Sequence, residues 1–180
     1  MTRWVMLLRG INVGGANTLT MATLKTLLKK LGARQVTTYI QSGNVIFSGL
    51  VDAAAFEEIV AGEIERSLGF RPRVLVIAEE GFREIVAGYP YPEAFEAPKT
   101  GHVWFLSGSA DPDRATLADI AAETERYEIA PRAFYLHAPD GIGRSKLAQR
   151  AERLLGVAAT ARNLGTCKKL VTLLDASAHG

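Results

Sequence analysis

An α+β fold made of two consecutive βαββαβ units, with additional helices, is what the sequence predicts. Three observations carry it. Strand-length stretches are rich in β-branched and aromatic residues, apolar residues recur at helical spacing between them, and the same order of elements is met twice without a close sequence repeat.

In the first half, "RWVMLLR" (residues 3–9) reads as a strand in which Trp4, Met6 and Leu8 alternate with Val5 and Leu7, so both faces are apolar. Leu24, Leu27, Leu28 and Leu31 mark an amphipathic helix that stops at Gly32, a residue suited to a left-handed cap. "QVTTYIQSGNVIFSG" is a hairpin with its turn around Ser42-Gly43-Asn44. A second helix opens at Asp52, presents Phe56, Ile59, Val60 and Ile64, and ends at Gly69; "RPRVLVIA" is the fourth strand. This order is the ferredoxin-like plan, and it fills residues 1–78.

Residues 79–100 hold a helical segment around Phe82, Ile85 and Val86 and the connector "YPYPEAFEAPKTG", whose prolines predict an extended, irregular path. Residues 101–180 repeat the plan. "HVWFLSG" is a strand, Asp111-Pro112 opens a helix, and "RYEIAPRAFYLH" is a strand pair broken at Pro131. Ser145 caps a helix with Leu147, Ala151, Leu154 and Leu155 on one face and Gly156 after it. A strand over Ala158–Thr160 and a final helix complete this ferredoxin-like subdomain.

Strands apolar on both faces need cover on both. Helices supply one side; the second half, a terminal helix or a partner chain supplies the other, which leaves a homo-oligomer open. It also weakens an RNA-binding reading, which needs an open sheet with stacking aromatics and a basic-glycine-aromatic strand motif that "SGNVIFSG" lacks.

Composition narrows the classes further. The chain has 180 residues, 48% apolar and 22% charged, with a formal charge of +2, so bulk electrostatics does not favour a nucleic-acid partner. The apolar run Trp4–Leu8 is too short for a signal-peptide core or a membrane span, so a cytoplasmic location without a membrane partner is expected. The single Cys167 cannot form an internal disulfide, and with Leu164, Val171 and Leu174 it marks the buried stripe of a helix. No metal site is expected: His102, His137 and His179 lack ligand spacing, and neither HExxH nor GxSxG occurs. Ser42 would need a base that neither His102 nor His137 can be placed to supply. Glu57, Glu58, Glu63 and Glu65 read as the solvated face of the second helix.

The loop "LLRGINVGGAN" (residues 7–17) invites comparison with phosphate cradles. Asn12 occupies the middle glycine of G-x-G-x-x-G, and Ala16 and Asn17 stand where a P-loop needs lysine and a hydroxyl. Neither signature is met, and no cofactor follows. The ferredoxin-like topology nevertheless places this loop and the hairpin turn at one end of the sheet. Arg9, Asn12, Gly14 and Gly15 should therefore meet Gln41, Ser42 and Asn44, a donor-rich group without a carboxylate that suits a polar or anionic small molecule such as a nucleotide or phosphate-bearing metabolite. The alternatives are a transferase or hydrolase using the same cleft, or a nucleic-acid-binding module using a basic group in the second half.

The segments "LLRGINVGG", "TYIQSGNVIF", "GRSKL" and "ATARNLGTCKKL", in this order, resemble those of a mainly bacterial family known as domain of unknown function 1697. The resemblance implies an α+β fold with two ferredoxin-like subdomains and supplies no reaction or catalytic residues. It departs at Leu164 and Gly165, where that family's pattern has tryptophan and asparagine.

The basic group is the second candidate. If the second half follows the same plan, Arg144, Ser145 and Lys146 lie near Arg162 and Asn163, with the backbone N–H groups of the helix starting at Ser145. Lys168 and Lys169 read as solvent-facing.

Overall fold

The structure is a computed structural model that describes residues 1–176; His179 lies outside the described residues. Strand β1 (Thr2–Arg9) leads through α1 (Met21–Lys30) to the hairpin β2 (Arg34–Tyr39) and β3 (Asn44–Gly49), then through α2 (Ala53–Leu68) to β4 (Arg73–Ala78). The sheet order is β2-β3-β1-β4, antiparallel throughout.

After α3 (Glu79–Ala87) and α4 (Glu93–Glu96) the plan recurs as β5 (Gly101–Leu106), α5 (Arg114–Ile120), β6 (Arg126–Ala130), β7 (Ala133–His137), α6 (Lys146–Leu155) and β8 (Ala159–Asn163). Its sheet order, β6-β7-β5-β8, is the same order element for element. Helix α7 (Leu164–Ala176) follows. The fold is thus α+β, with two ferredoxin-like halves. The described chain divides into two compact units, one formed by residues 1–83 with 170–176 and the other by residues 84–169.

Local chemistry accounts for the element ends. Thr20, Asp52, Asp113 and Ser145 each accept a backbone N–H from the first turn of the helix they precede, and Gly69 and Gly156 take the left-handed conformation that ends α2 and α6. The cap of α5 is Asp113, two residues beyond the Asp111-Pro112 start read from the sequence. The connector is also more ordered than its prolines suggest, since α4 and a 3-10 turn at Pro98–Thr100 interrupt it.

In the first unit Met6, Leu8, Val45, Phe47, Val74 and Val76 face Leu24, Leu28, Phe56, Val60 and Ile64. The rings of Phe47 and Phe56 are 5.4 Å apart. Burying each such side chain contributes about 1.5–3 kcal/mol. Phe56, Val60, Ala61 and Ile64 centre the buried stripe of α2, which leaves Ile59 on its rim at 52% exposure rather than inside. Val5, Leu7, Ile46, Leu75 and Ile77, on the opposite sheet face, are buried too. Glu57 is not part of a solvated face: its Oε1 accepts the Val76 N–H at 2.7 Å, and burial raises its pKa.

The second core sets Trp104, Leu106, Phe134 and Leu136 against Leu117, Leu147, Ala151, Leu154 and Leu155. On α7, Leu164, Cys167, Leu170 and Leu174 are buried. Arg3 ties the end of α7 to β1, donating to the Leu174 carbonyl at 2.6 Å while pairing with Glu79 at 2.6 Å. Among the described residues no helix is long and apolar enough to cross a membrane.

Candidate functional site

The loop after β1 is a small hairpin. Asn12 N–H donates to Asn17 O at 3.0 Å and Ala16 N–H to Val13 O at 3.0 Å, with Gly14 and Gly15 at φ 57° and 76° between them. Two consecutive positive φ angles define the turn that best fits strand twist, and glycine adopts them at little cost. This turn explains both glycines without invoking a phosphate, and it presents Val13 at 68% exposure.

The hairpin and the β2–β3 turn do meet. Leu8 N–H donates to Gly43 O at 2.8 Å, and a Cβ on Gly43 would lie 2.7 Å from Leu8 Cβ and 2.8 Å from Ile11 Cδ1. Asn12 closes the junction: its Nδ2 donates to Leu19 O and to Gln41 O, both at 2.8 Å, and its Oδ1 accepts Leu19 N–H at 2.9 Å. Asn44 is fully buried and gives Nδ2 to Tyr39 O and Ser42 Oγ, both at 3.0 Å. A side-chain amide has two N–H groups to give. Asn12 and Asn44 therefore frame the site, and their N–H groups are not available as ligand donors in this arrangement.

What the frame presents is cationic. Arg9 stands directly opposite Arg73 in the β1–β4 register, and both are exposed. Partial burial, and then the charge of Arg73, lower the pKa of Arg9. Gln41, Ser42, Gly14 and Gly15 are exposed as well. Sequence reading missed Arg73, because its pairing with Arg9 depends on strand register rather than on a motif. It also missed Ile40, a β-branched residue at φ 49° and 47% exposed beside the turn.

Two members of the second candidate group cap helices. Ser145 is buried, and its Oγ accepts Ala148 N–H as the cap of α6; Asn163 Oδ1 accepts Thr166 N–H at the start of α7. Strand alternation puts Arg162 and Asn163 on opposite faces of β8, with Ala159 and Ala161 on the core side. Arg162 Nη1 donates to Ala161 O at 2.8 Å, and burial pushes its pKa down to about 10. Arg144 and Ser145 instead line a hollow of about 210 Å³ with Thr124, Glu125 and Asp140, whose carboxylates disfavour an anion. Lys146 is exposed. Lys168 and Lys169 are exposed as expected, and Lys168 Nζ lies 5.5 Å from the Phe95 ring centre.

Two other reactive groups are buried. Burial pushes the Cys167 thiol up to about 12, in keeping with a buried structural cysteine. His102 is buried, its Nδ1 has no hydrogen-bond partner among the described residues, and burial lowers its pKa to about 4. No group of three or more His, Cys, Asp or Glu able to hold a metal ion occurs among the described residues.

A family model described as "Protein of unknown function (DUF1697)" matches residues 1–135. The chain belongs to the DUF1697 family. The matched stretch contains the β1–α1 hairpin, the β2–β3 turn and Arg73, and it ends before Arg144 and Arg162. The structure of conserved bacterial protein SP0830 from Streptococcus pneumoniae is similar with a TM-score of 0.75 and 24% sequence identity, covering 96% of this chain and 98% of that one. That likeness concerns the fold. Among curated proteins, none matches.

Proposed function

We propose that this DUF1697 protein is a cytoplasmic binder of a small anionic molecule, a nucleotide or phosphate-bearing metabolite, at the end of the first sheet. The observation that carries the reading is the cross-strand pair Arg9 and Arg73, two exposed guanidinium groups in direct register beside the junction of two loops. Guanidinium groups suit the task because their planar N–H array matches phosphate oxygens pairwise. Gln41 and Ser42 add uncharged donors at the rim, while Asn12 and Asn44 hold the two loops in place.

A thermal-shift series with inorganic phosphate, nucleotides and sugar phosphates tests this. A ligand at about a hundred times its Kd adds about 2.7 kcal/mol of stability. The reading requires at least one phosphate-bearing compound to raise Tm, and Arg9→Ala and Arg73→Ala each to abolish the rise while leaving the unliganded protein folded. A rise that survives both substitutions, or no rise with any compound, contradicts it.

A further inference from the structure

Tyr39, on β2, differs from the other tyrosines. Tyr89 and Tyr135 donate their hydroxyls to Leu136 O at 2.9 Å and Ile85 O at 2.7 Å, the Tyr91 ring stacks on His137, and Tyr127 packs on Phe134 with ring centres 5.7 Å apart. Tyr39 is half-buried, and among the described residues its ring has no aromatic partner and its hydroxyl no hydrogen-bond partner.

Strand register puts this ring on the same sheet face as the arginine pair. Tyr39 stands opposite Asn44, Asn44 opposite Leu7, and Leu7 opposite Leu75, so these side chains form one row across β2, β3, β1 and β4. Directly opposed residues point to the same face, and so do residues two apart along a strand. Arg9 is two residues beyond Leu7 and Arg73 two before Leu75, which makes the pair the next row on that face. It is the face turned away from the core that Met6, Leu8, Val45, Val74 and Val76 form with α1 and α2. Asn44, on the strand between Tyr39 and Arg9, ties the Ser42 hydroxyl to this face by donating Nδ2 to its Oγ at 3.0 Å. Two strand spacings of about 4.8 Å across the sheet and two residues of about 3.4 Å along it set the Cα atoms of Tyr39 and Arg9 about 12 Å apart.

We propose, building on the anion-binding reading above, that the ligand is a nucleotide, its phosphate held by Arg9 and Arg73 and its base laid on the Tyr39 ring. Inorganic phosphate fills only the arginine end, and a sugar phosphate has no π-face to set against the ring. A nucleotide carries a flat π-system separated from its phosphate by a ribose, which bridges the two ends and brings sugar hydroxyls to Ser42. Stacking accepts any base, because every base has a π-face, so the class recognised is nucleotides rather than one member of it.

Calorimetric titration of the full chain with AMP, GMP, CMP and UMP, against ribose 5-phosphate and inorganic phosphate, provides the test. At least one nucleotide should bind about tenfold or more tighter than ribose 5-phosphate, the advantage expected of one stacked base. Tyr39→Leu should bring that nucleotide down to the affinity of ribose 5-phosphate, Tyr39→Phe should keep the advantage, and Arg9→Ala should weaken both ligands. In the wild-type chain the Tyr39 ring protons should shift upfield on saturation and show cross-relaxation to the base protons, a readout that needs no variant. Nucleotide and ribose 5-phosphate bound equally, both through Arg9, overturn the base contact and leave the anion site standing. An advantage that survives Tyr39→Leu, or a Tyr39 ring that does not respond to saturating nucleotide, also overturns the base contact. Absence of binding by every compound overturns both.

Discussion

Asn12 donates both hydrogens of its side-chain amide to backbone carbonyls in two different segments, Leu19 at the entry of α1 and Gln41 in the β2–β3 turn, each at 2.8 Å. A residue placed in the loop like a ligand donor thus acts as a brace, and the site's shape depends on it.

Asn12→Ala removes three hydrogen bonds and puts alanine at φ 52°, where asparagine is better tolerated. At about 0.5–1.5 kcal/mol per bond, the expected loss is about 2–3 kcal/mol in urea unfolding, with weaker ligand binding as a consequence. A change below about 0.5 kcal/mol, the scatter of ordinary surface substitutions, would deny the bracing role.

Ile40 makes the opposite prediction. A β-branched side chain at φ 49° is strained, and its exposure returns little burial energy. Ile40→Asn should stabilise the protein by about 1 kcal/mol, since asparagine visits the left-handed region at lower cost. Chemical denaturation of the two proteins side by side measures it, and a loss of stability would mean that Ile40 packs in a way its exposure hides.

His102 makes stability depend on pH. Burial holds its folded pKa at about 4 against an ordinary value of 6.5, so between those values the unfolded chain binds the proton and the folded chain does not. The stabilisation is fully present above about pH 6.5 and is lost as pH falls towards about 4, up to about 3 kcal/mol. Urea unfolding at about pH 7 and about pH 4.5 should show a larger loss for wild type than for His102→Phe. Equal losses would show that His102 does not drive the dependence.

Gly101 is held by contact rather than by conformation. Gly101→Ala forces its new methyl against Tyr89 Oη and Ala94 Cβ and should cost about 1–3 kcal/mol, as overpacking does. Circular-dichroism melts should register it as a lower Tm, and an unchanged Tm would mean that the connector at Tyr89 and Ala94 yields freely.

Much of this architecture could be read from residue patterns. The caps Asp52 and Ser145, the stops at Gly69 and Gly156, and the apolar alternation of β1 act within a few residues of themselves, so a linear reading reaches them. The meeting of the β1–α1 loop with the β2–β3 turn followed from topology. The identity of the presenting groups did not. Asn12 is spent on backbone carbonyls, and Asn44 on one carbonyl and the Ser42 hydroxyl, whose positions only the folded loops define, and Arg73 reaches Arg9 through strand register. Arg162 and Asn163 are neighbours in sequence, yet β8 points them to opposite faces. Glu57 was hidden for a similar reason, because its partner is the N–H of a strand nineteen residues away. The prolines of the connector masked α4 and the contacts of Tyr89 and Tyr91 beneath it.

Backbone amide chemical shifts, followed while a phosphate-bearing ligand from the thermal series is titrated in, test the central claim most directly. The account predicts saturable shifts at Leu8–Val13, Gln41–Gly43 and Arg73, lost in Arg9→Ala. Saturable shifts confined to other regions, such as Arg144–Lys146, or shifts at the first site that persist unchanged in Arg9→Ala, would contradict it.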